Sequence, residues 1–266
     1  MQTDSAPEYM LSNADEGERR RLAAIEAAYD PGSKRHLTAL GVGRGSRVLI
    51  AGAGGGSLVR WAAETVGLSG EVLAVDIDPR FVLPLAEHYP NVRVVQQDVV
   101  TQDLPGGGFD AAHARLLLGH LPQREAVLAK LADALRPGGG LLVEDFDWGS
   151  YGPAEPNPSA EKAIEAVSDL ARSFGFDTAF GRRLPGVMRR AGLVDVDAEG
   201  LVLTLRGATF PLEPMFRQTF DRLLPHLIAG GQMSEDDAAA LHQRFDDLEY
   251  DMCTQTLMSV WGRRPA

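Results

Sequence analysis

The chain has 266 residues, 44% of them hydrophobic and 24% charged, which is typical of a globular protein and excludes a disordered chain. Lys and Arg number 26 against 37 Asp and Glu, so the net charge of −11 disfavours nonspecific nucleic-acid binding. A single cysteine, Cys253, excludes an intramolecular disulfide and a cysteine-based zinc site. Neither a signal pattern nor an apolar run of about 20 residues is present, so we expect a cytoplasmic protein without membrane contact.

Residues 1–32 are expected to form an N-terminal helical arm or lid. Apolar residues repeat at helical spacing from Asp15 to Tyr29, with Asn13 or Asp15 as the N-cap. The sequence Asp-Pro-Gly-Ser at 30–33 predicts a break, after which a second short helix begins.

Five short apolar runs then alternate with helical patterns. The runs lie at 47–51, 72–75, 92–95, 109–112 and 141–143. Buried strands that alternate with helices are typical of βαβ units. The sequence therefore predicts an α/β fold, a Rossmann-like, doubly wound and mostly parallel sheet with helices on both faces.

The C-terminal part is expected to complete this core and to carry an insertion. Residues 193–206 predict one or two strands, and residues 259–261 predict a last strand. We expect a core of residues 33–207 with 253–266, and a helical cap of residues 208–252 that binds an acceptor molecule. Ligands of open α/β sheets bind beyond the carboxyl ends of the strands, where such a cap would lie.

A glycine cluster, Gly52-Ala53-Gly54-Gly55-Gly56, follows the first strand and opens a helix. Glycines at this turn let backbone N–H groups approach a ligand closely. Asp76 ends the second strand about 20 residues further on, where nucleotide-binding α/β folds place a carboxylate that accepts ribose hydroxyls. Dinucleotide and nucleoside cofactors both satisfy this pattern.

Further motifs complete an ordered set along the chain. The set comprises residues 48–56, 75–78, 97–99, 109–110 and 135–140. It resembles the class I S-adenosylmethionine-dependent methyltransferases over about residues 33–147, and the two ends of the chain resemble a bacterial subgroup that acts on small molecules of the natural-product type. The G-x-G-x-G order is that family's form, whereas dinucleotide binders carry G-x-G-x-x-G, which disfavours an NAD-dependent oxidoreductase.

The resemblance implies S-adenosylmethionine as the cofactor. Gly52, Gly54 and Gly56, with Ala53 in the same loop, would wrap its methionyl part. Asp76 would hold the ribose hydroxyls.

The resemblance also implies where the base and the ammonium group bind. Ile77 would pack on the adenine, while Asp98 would accept the adenine amine. The backbone N–H of Val99 would donate to a ring nitrogen. Ala114 and Arg115 would contribute main-chain contacts to the methionyl ammonium.

One position departs from the family pattern. The family usually has an acid, which helps to hold the cofactor's ammonium, where this chain has Ile50. An isoleucine cannot accept a hydrogen bond. Weaker cofactor binding, a compensating acceptor, or a protein that binds the cofactor without turnover are the alternatives.

Methyl transfer to an oxygen requires removal of a proton, and a histidine is suited to this work. His120 follows the fourth strand and is the predicted base, whereas His113 in that strand is interpreted as structural. Glu144, with Asp145 and Asp147, follows the fifth strand and is the second catalytic candidate, although these acids could equally pair with arginines.

The sequence thus predicts methyl transfer to a small-molecule acceptor, a secondary metabolite. The alternative is a protein that binds S-adenosylmethionine but has lost methyl transfer, or that uses the bound cofactor for a rearrangement or cyclisation. His226 in the cap is a weaker candidate, and no residue spacing indicates a metal. A homodimer is compatible with the sequence, and no nucleic-acid partner is expected.

Overall fold

The computed structural model describes residues 16–206, 210–247 and 250–266, which form ten strands and eight α-helices. The strands are β1 (Arg47–Ala51), β2 (Glu71–Asp76), β3 (Val92–Gln96), β4 (Phe109–Arg115), β5 (Leu135–Asp147), β6 (Gly152–Pro153), β7 (Val194–Leu201), β8 (Thr204–Arg206), β9 (Asp251–Cys253) and β10 (Thr256–Arg263). The helices are α1 (Glu16–Ala39), α2 (Ser57–Val66), α3 (Leu83–His88), α4 (Arg124–Ala134), α5 (Pro158–Ser173), α6 (Phe180–Arg190), α7 (Glu213–Ala229) and α8 (Glu235–Asp246). No helix in these ranges is long and apolar enough to cross a membrane.

Seven strands form one sheet in the order β3-β2-β1-β4-β5-β10-β7. The first five are parallel, and β10 lies antiparallel between β5 and β7. The predicted α/β fold with a mostly parallel sheet is confirmed, and each of the five apolar runs lies in one of its parallel strands.

Helices cover both faces of the sheet. In β1, Val48 and Ile50 face α2 and the end of α1, whereas Leu49 faces the layer formed by α4 and α6. All three side chains are buried. A strand buried on both faces carries a continuous apolar run, which is why β1 shows no polar alternation.

The predicted break at residues 30–33 is wrong, because α1 is a single helix with Pro31 inside it. Proline removes one helical hydrogen bond. One face of the helix is nevertheless buried along its length, at residues spaced three or four apart, and packing of such a face stabilises a helix more than local propensity does. These residues include Glu18, Arg21, Ile25, Tyr29, Ser33 and Leu37. The candidate caps Asn13 and Asp15 lie outside the described residues.

The helices of the region predicted as a cap, α7 and α8, pack on α1 and α5 through an apolar cluster. A second sheet, β6-β9-β8, joins the start and the end of this region. No sequence pattern predicted this sheet, because strands of two or three residues are too short to show a period. The sequence analysis also missed α6, although Phe180, Leu184 and Val187 repeat at helical spacing and are buried.

Candidate functional site

A large cavity opens at the carboxyl ends of β1, β2, β4 and β5 and is covered by α1 and α7. This edge of an open α/β sheet is where ligands bind. Most of the predicted site residues line the cavity. They are Gly52, Ala53, Gly54, Asp76, Ile77, Asp98, Val99, Arg115 and His120. Gly56, Ala114 and Glu144 are not among the residues that line it.

The glycine loop follows β1 and turns into α2. Gly56 has a φ of 92° and precedes the first residue of α2. A Cβ at this position would lie 2.8 Å from a methyl group of Leu85 and 2.9 Å from one of Val82. Gly56 therefore allows the loop to pack closely on Val82 and Leu85. Gly52 and Gly54, also at positive φ, line the cavity.

Asp76 holds this loop through its carboxylate. Oδ2 accepts a hydrogen bond from the N–H of Gly54 at 3.1 Å, and Oδ1 accepts one from the N–H of Asp78 at 2.9 Å. Burial raises the pKa of Asp76, and these two N–H groups oppose the rise. Because a carboxylate offers about four acceptor sites, capacity remains for two ribose hydroxyls.

The residues predicted to bind the adenine base lie just after β2 and β3. The side chain of Ile77 is 61% exposed although it lines the cavity, which is the arrangement expected of a surface that packs on a flat ligand. Asp98 accepts hydrogen bonds from the N–H of Val100 at 2.8 Å and the hydroxyl of Thr101 at 2.9 Å. These bonds fix the turn that contains Val99, and the adenine contacts stay predictions.

Arg115 at the end of β4 is fastened to α1. Its guanidinium lies 2.9 Å from Asp30 Oδ1 and donates to Ser33 Oγ, also at 2.9 Å. The next residue, Leu116, has a φ of 50°, which is costly for a side chain of this kind. Such strain is typical of functional sites. The predicted main-chain contacts of Ala114 and Arg115 therefore lie directly before a residue in an unusual backbone conformation.

His120 lines the same cavity as the glycine loop. Its ring packs against Phe176 with the ring centres 4.7 Å apart. Burial, together with the positive charges of Arg21 and Arg124, lowers the pKa of His120 to about 3. The imidazole is consequently neutral near pH 7 and can accept a proton, but its basicity is low.

The interpretation of Glu144 as a residue that faces the acceptor is corrected by its surroundings. Its side chain is fully buried and accepts hydrogen bonds from Ser259 Oγ at 2.6 Å and from Ser33 Oγ. His113 Nε2 lies 2.9 Å from Oε2 and separates the carboxylate from the cavity. Burial alone would raise the pKa of Glu144, but the bond to His113, the nearby charge of Arg115 and the Ser259 hydroxyl lower it to about 2.

The two neighbouring acids are also engaged. Asp145 accepts hydrogen bonds from the N–H groups of Gly119 at 2.7 Å and Phe146 at 2.9 Å, and burial raises its pKa to about 6. Asp147 pairs with Arg182 at 2.6 Å. All three acids at the end of β5 therefore have partners within the protein, but only Asp147 pairs with an arginine.

The sequence analysis missed two groups of residues that line the cavity. Arg21 and Glu26 come from α1, and Glu26 accepts a hydrogen bond from the N–H of Ser57 at 3.2 Å. The second group is an aromatic wall, which comprises Phe146, Trp148, Tyr151, Phe176, Phe216 and Phe220. These aromatics come from separate parts of the chain, so no sequence spacing could have grouped them.

Two further observations concern the remaining candidates. His226 is exposed and contacts Phe174 rather than the cavity. Across the described residues, no group of three or more His, Cys, Asp or Glu side chains is placed to hold a metal ion.

The doubly wound sheet, the glycine loop after β1 and the acid at the end of β2 are typical of α/β proteins that bind a nucleotide or nucleoside cofactor. Residues 48–139 match the family described as "Methyltransferase domain". The match assigns a methyltransferase domain to about a third of the chain, and the fold is shared with solved methyltransferases.

Individual relatives agree with this assignment. Methyltransferase str2 from Strobilurus tenacellus is 32% identical over 176 residues, which cover 64% of this chain and 62% of that protein. The chain thus matches less than two thirds of this relative's length. Two solved structures share the fold. The BH2331 protein of Bacillus halodurans C-125 has a TM-score of 0.59 and 16% identity, over 88% of this chain and 98% of that chain. Phosphoethanolamine N-methyltransferase 2 of Haemonchus contortus, solved with S-adenosyl-L-methionine, has a TM-score of 0.55 and 15% identity, over 92% and 57%.

Proposed function

We propose that this protein transfers the methyl group of S-adenosylmethionine to a small, apolar acceptor, a secondary metabolite. The aromatic wall, which lines the same cavity as the glycine loop and Asp76, supports this proposal. Tyr151 and Phe216 stack with ring centres 5.5 Å apart, and Trp148 packs on Phe176 at 5.4 Å. Aromatic side chains bind apolar and conjugated molecules through large contact areas.

Polar atoms also line the cavity. Within the described residues, Trp148 Nε1 and Gln255 Oε1 are buried without a hydrogen-bond partner, and both side chains line the cavity. The first can donate a hydrogen bond and the second can accept one. Buried polar groups are normally paired, so an acceptor that carries both an oxygen and a hydroxyl or N–H group fits the site best.

The other part of the cavity fits the cofactor. Ser57 Oγ, at the start of α2, is buried without a partner among the described residues and lines the cavity. A hydroxyl donor at the start of a helix suits a carboxylate such as that of the methionyl part. Asp76 would accept the ribose hydroxyls, Ile77 would pack on the adenine, and Asp98 with Val99 would bind its edge.

When bound, S-adenosylmethionine supplies a methyl group on a positively charged sulfur, which a nucleophile in line with the bond can displace. The cavity walls align the two ligands and exclude water, which supplies much of the acceleration of such a step. His120 would receive the proton that a hydroxyl acceptor gives up.

Replacing His120 with alanine is expected to lower turnover of a hydroxyl acceptor by about 100-fold, the lower end of the range for loss of a general base, because a pKa of about 3 makes the ring a weak base. Binding of S-adenosylmethionine measured by calorimetry is expected to be unchanged. His226→Ala, outside the cavity, is the control. Equal turnover of both variants with a hydroxyl acceptor would show that His120 is not the base. With a carbon or neutral amine acceptor, the loss of turnover in His120→Ala should be much smaller.

The acceptor assignment is tested with Phe216→Leu. We expect this change to raise the acceptor KM roughly tenfold, because a stacked ring is lost from the wall, while the affinity for S-adenosylmethionine stays the same. Phe174→Leu changes an exposed ring outside the cavity and is expected to change neither value. The readout is transfer of an isotopically labelled methyl group to acceptors of graded apolar surface. Preference for charged, strongly polar acceptors would contradict the proposal.

The apolar side chain of Ile50 favours a second candidate function. Ile50 lines the cavity where the family's acid is expected, so the chain could bind S-adenosylmethionine without transferring its methyl group, or could catalyse a rearrangement or cyclisation with the cofactor bound. Calorimetry with S-adenosylmethionine, its demethylated product and NAD separates the cases. Binding of the first two without methyl transfer to any acceptor favours the second function. Tight binding of NAD alone would contradict both.

A further inference from the structure

A buried imidazole stands beside Ile50. His113 in β4 pairs directly with Ile50 in β1, and the two strands are parallel. Paired residues on neighbouring strands project to the same face of a sheet, so the two side chains are adjacent. Both line the cavity, and His113 is 2% exposed.

A hydrogen bond to Glu144 orients this imidazole. His113 Nε2 lies 2.9 Å from Glu144 Oε2, and the hydroxyls of Ser33 and Ser259 donate to the same carboxylate. The pKa of about 2 keeps Glu144 ionised near pH 7. An ionised carboxylate only accepts hydrogen bonds, so Nε2 carries a proton. In the neutral imidazole, Nδ1 then presents a lone pair.

The lone pair on Nδ1 is left unused by the protein. Among the described residues, Nδ1 is buried without a hydrogen-bond partner. The nearby guanidinium of Arg115 does not serve it, because that group is directed to Asp30 and Ser33. Buried acceptors are normally hydrogen-bonded, and a ligand in the cavity can supply the donor.

We propose that His113 Nδ1 accepts a hydrogen bond from the ammonium group of bound S-adenosylmethionine and so fills the role that the Ile50 side chain cannot. The inference rests on the proposed function, because it requires this cofactor. An ammonium offers three N–H donors and no acceptor, so it complements a lone pair, whereas the carboxylate of the cofactor does not. The negative charge of Glu144 behind the ring strengthens the contact.

Two substitutions separate the two nitrogens. In His113→Gln the longer amide reaches the Nε2 position and keeps a donor for Glu144, but no acceptor is left at Nδ1. In His113→Asn the shorter side chain places its oxygen near Nδ1 and gives up the bond to Glu144. If His113 is purely structural, the glutamine variant should retain cofactor affinity better. If His113 binds the cofactor, the asparagine variant should retain it better.

The measurement is calorimetric binding of three ligands to each variant. S-adenosylhomocysteine carries the ammonium and the carboxylate, decarboxylated S-adenosylmethionine carries only the ammonium, and methylthioadenosine carries neither. We expect His113→Gln to weaken the first two by roughly 10- to 100-fold, which is the loss typical of a hydrogen bond to a charged group, and to leave methylthioadenosine unchanged. His113→Asn should bind all three within a few-fold of the parent protein.

Several results would overturn the inference. Equal weakening of all three ligands by His113→Gln would indicate a structural role, and weakening of S-adenosylhomocysteine alone would assign His113 to the carboxylate. A parent protein that binds none of the ligands would instead remove the proposed function. If the glutamine variant does not fold, the parent protein labelled with ¹⁵N-histidine gives the answer. An Nδ1 resonance of His113 that moves with S-adenosylhomocysteine and not with methylthioadenosine is expected, and an unmoved resonance would refute the contact.

Discussion

Replacing Asp76 with alanine should weaken binding of S-adenosylmethionine by roughly 2–4 kcal/mol, because two ribose hydroxyls would lose a charged acceptor. The carboxylate also accepts the N–H of Gly54, so the glycine loop would lose an anchor at the same time. Both effects act on the same ligand. Calorimetry with S-adenosylmethionine measures the loss. The melting temperature without ligand should fall by only a few degrees, because two backbone hydrogen bonds are lost but the side chain packs little apolar surface.

Asp78→Ala is the matched control for this experiment. Asp78 lies two residues further on, and its carboxylate pairs with Arg80 at 2.6 Å rather than with the glycine loop. It does not line the cavity, so its removal should leave cofactor affinity nearly unchanged. Unchanged binding in Asp76→Ala combined with a collapsed melting temperature would show that Asp76 is structural and that the ribose assignment is wrong.

Replacing Glu144 with alanine should lower the free energy of unfolding by roughly 3–5 kcal/mol, because His113 and two serine hydroxyls would lose a buried charged partner. Denaturant unfolding near pH 7 measures this change. A loss below about 1 kcal/mol would mean that water enters and replaces the carboxylate.

The same residue gives the protein a defined sensitivity to acid. The pKa of Glu144 falls from 4.5 in the unfolded chain to about 2 in the folded protein. Its contribution, about 3 kcal/mol, is therefore complete above pH 4.5 and is lost as the pH falls through 2. Glu144→Gln should flatten the dependence of stability on pH in that window.

Asp145 provides the contrast, since its pKa is raised to about 6. A raised pKa favours folding at low pH, and this contribution is lost as the pH rises through 6. Asp145→Asn should therefore alter the dependence of stability on pH around 4 to 6 and leave the steep loss below pH 4.5 in place. An identical pH response in the two variants would contradict these assignments.

The core of the fold could be predicted because its signals are local. The strand β1 is an apolar run that ends in glycines, and β2 ends in an acid, so sequence order alone indicated the sheet and the site at its edge. The antiparallel β10 was predicted as a strand, but its place between β5 and β7 depends on contacts between distant residues.

The errors arose where tertiary contacts outweigh local patterns. Pro31 indicates a helix end, yet the buried face of α1 carries the helix past it. Glu144 was interpreted as a catalytic candidate from its position at the end of a strand. Its buried hydrogen bonds come from Ser33 and Ser259, which are both more than 100 residues away in sequence, so no local pattern could indicate them. The aromatic wall likewise forms only when separate segments meet, so its existence could not be inferred from any one of them.

The position of β10 also determines the order in which the sheet can be completed during synthesis. In the seven-stranded sheet β7 pairs only with β10, although β7 leaves the ribosome first. Until residues 256–263 emerge, β5 has an open edge and β7 has no place in that sheet. Open edges are templates for pairing with other chains, and pairing between distant strands is slow to form. Closure by the last strand is thus the step at which a nascent or shortened chain is most exposed to aggregation.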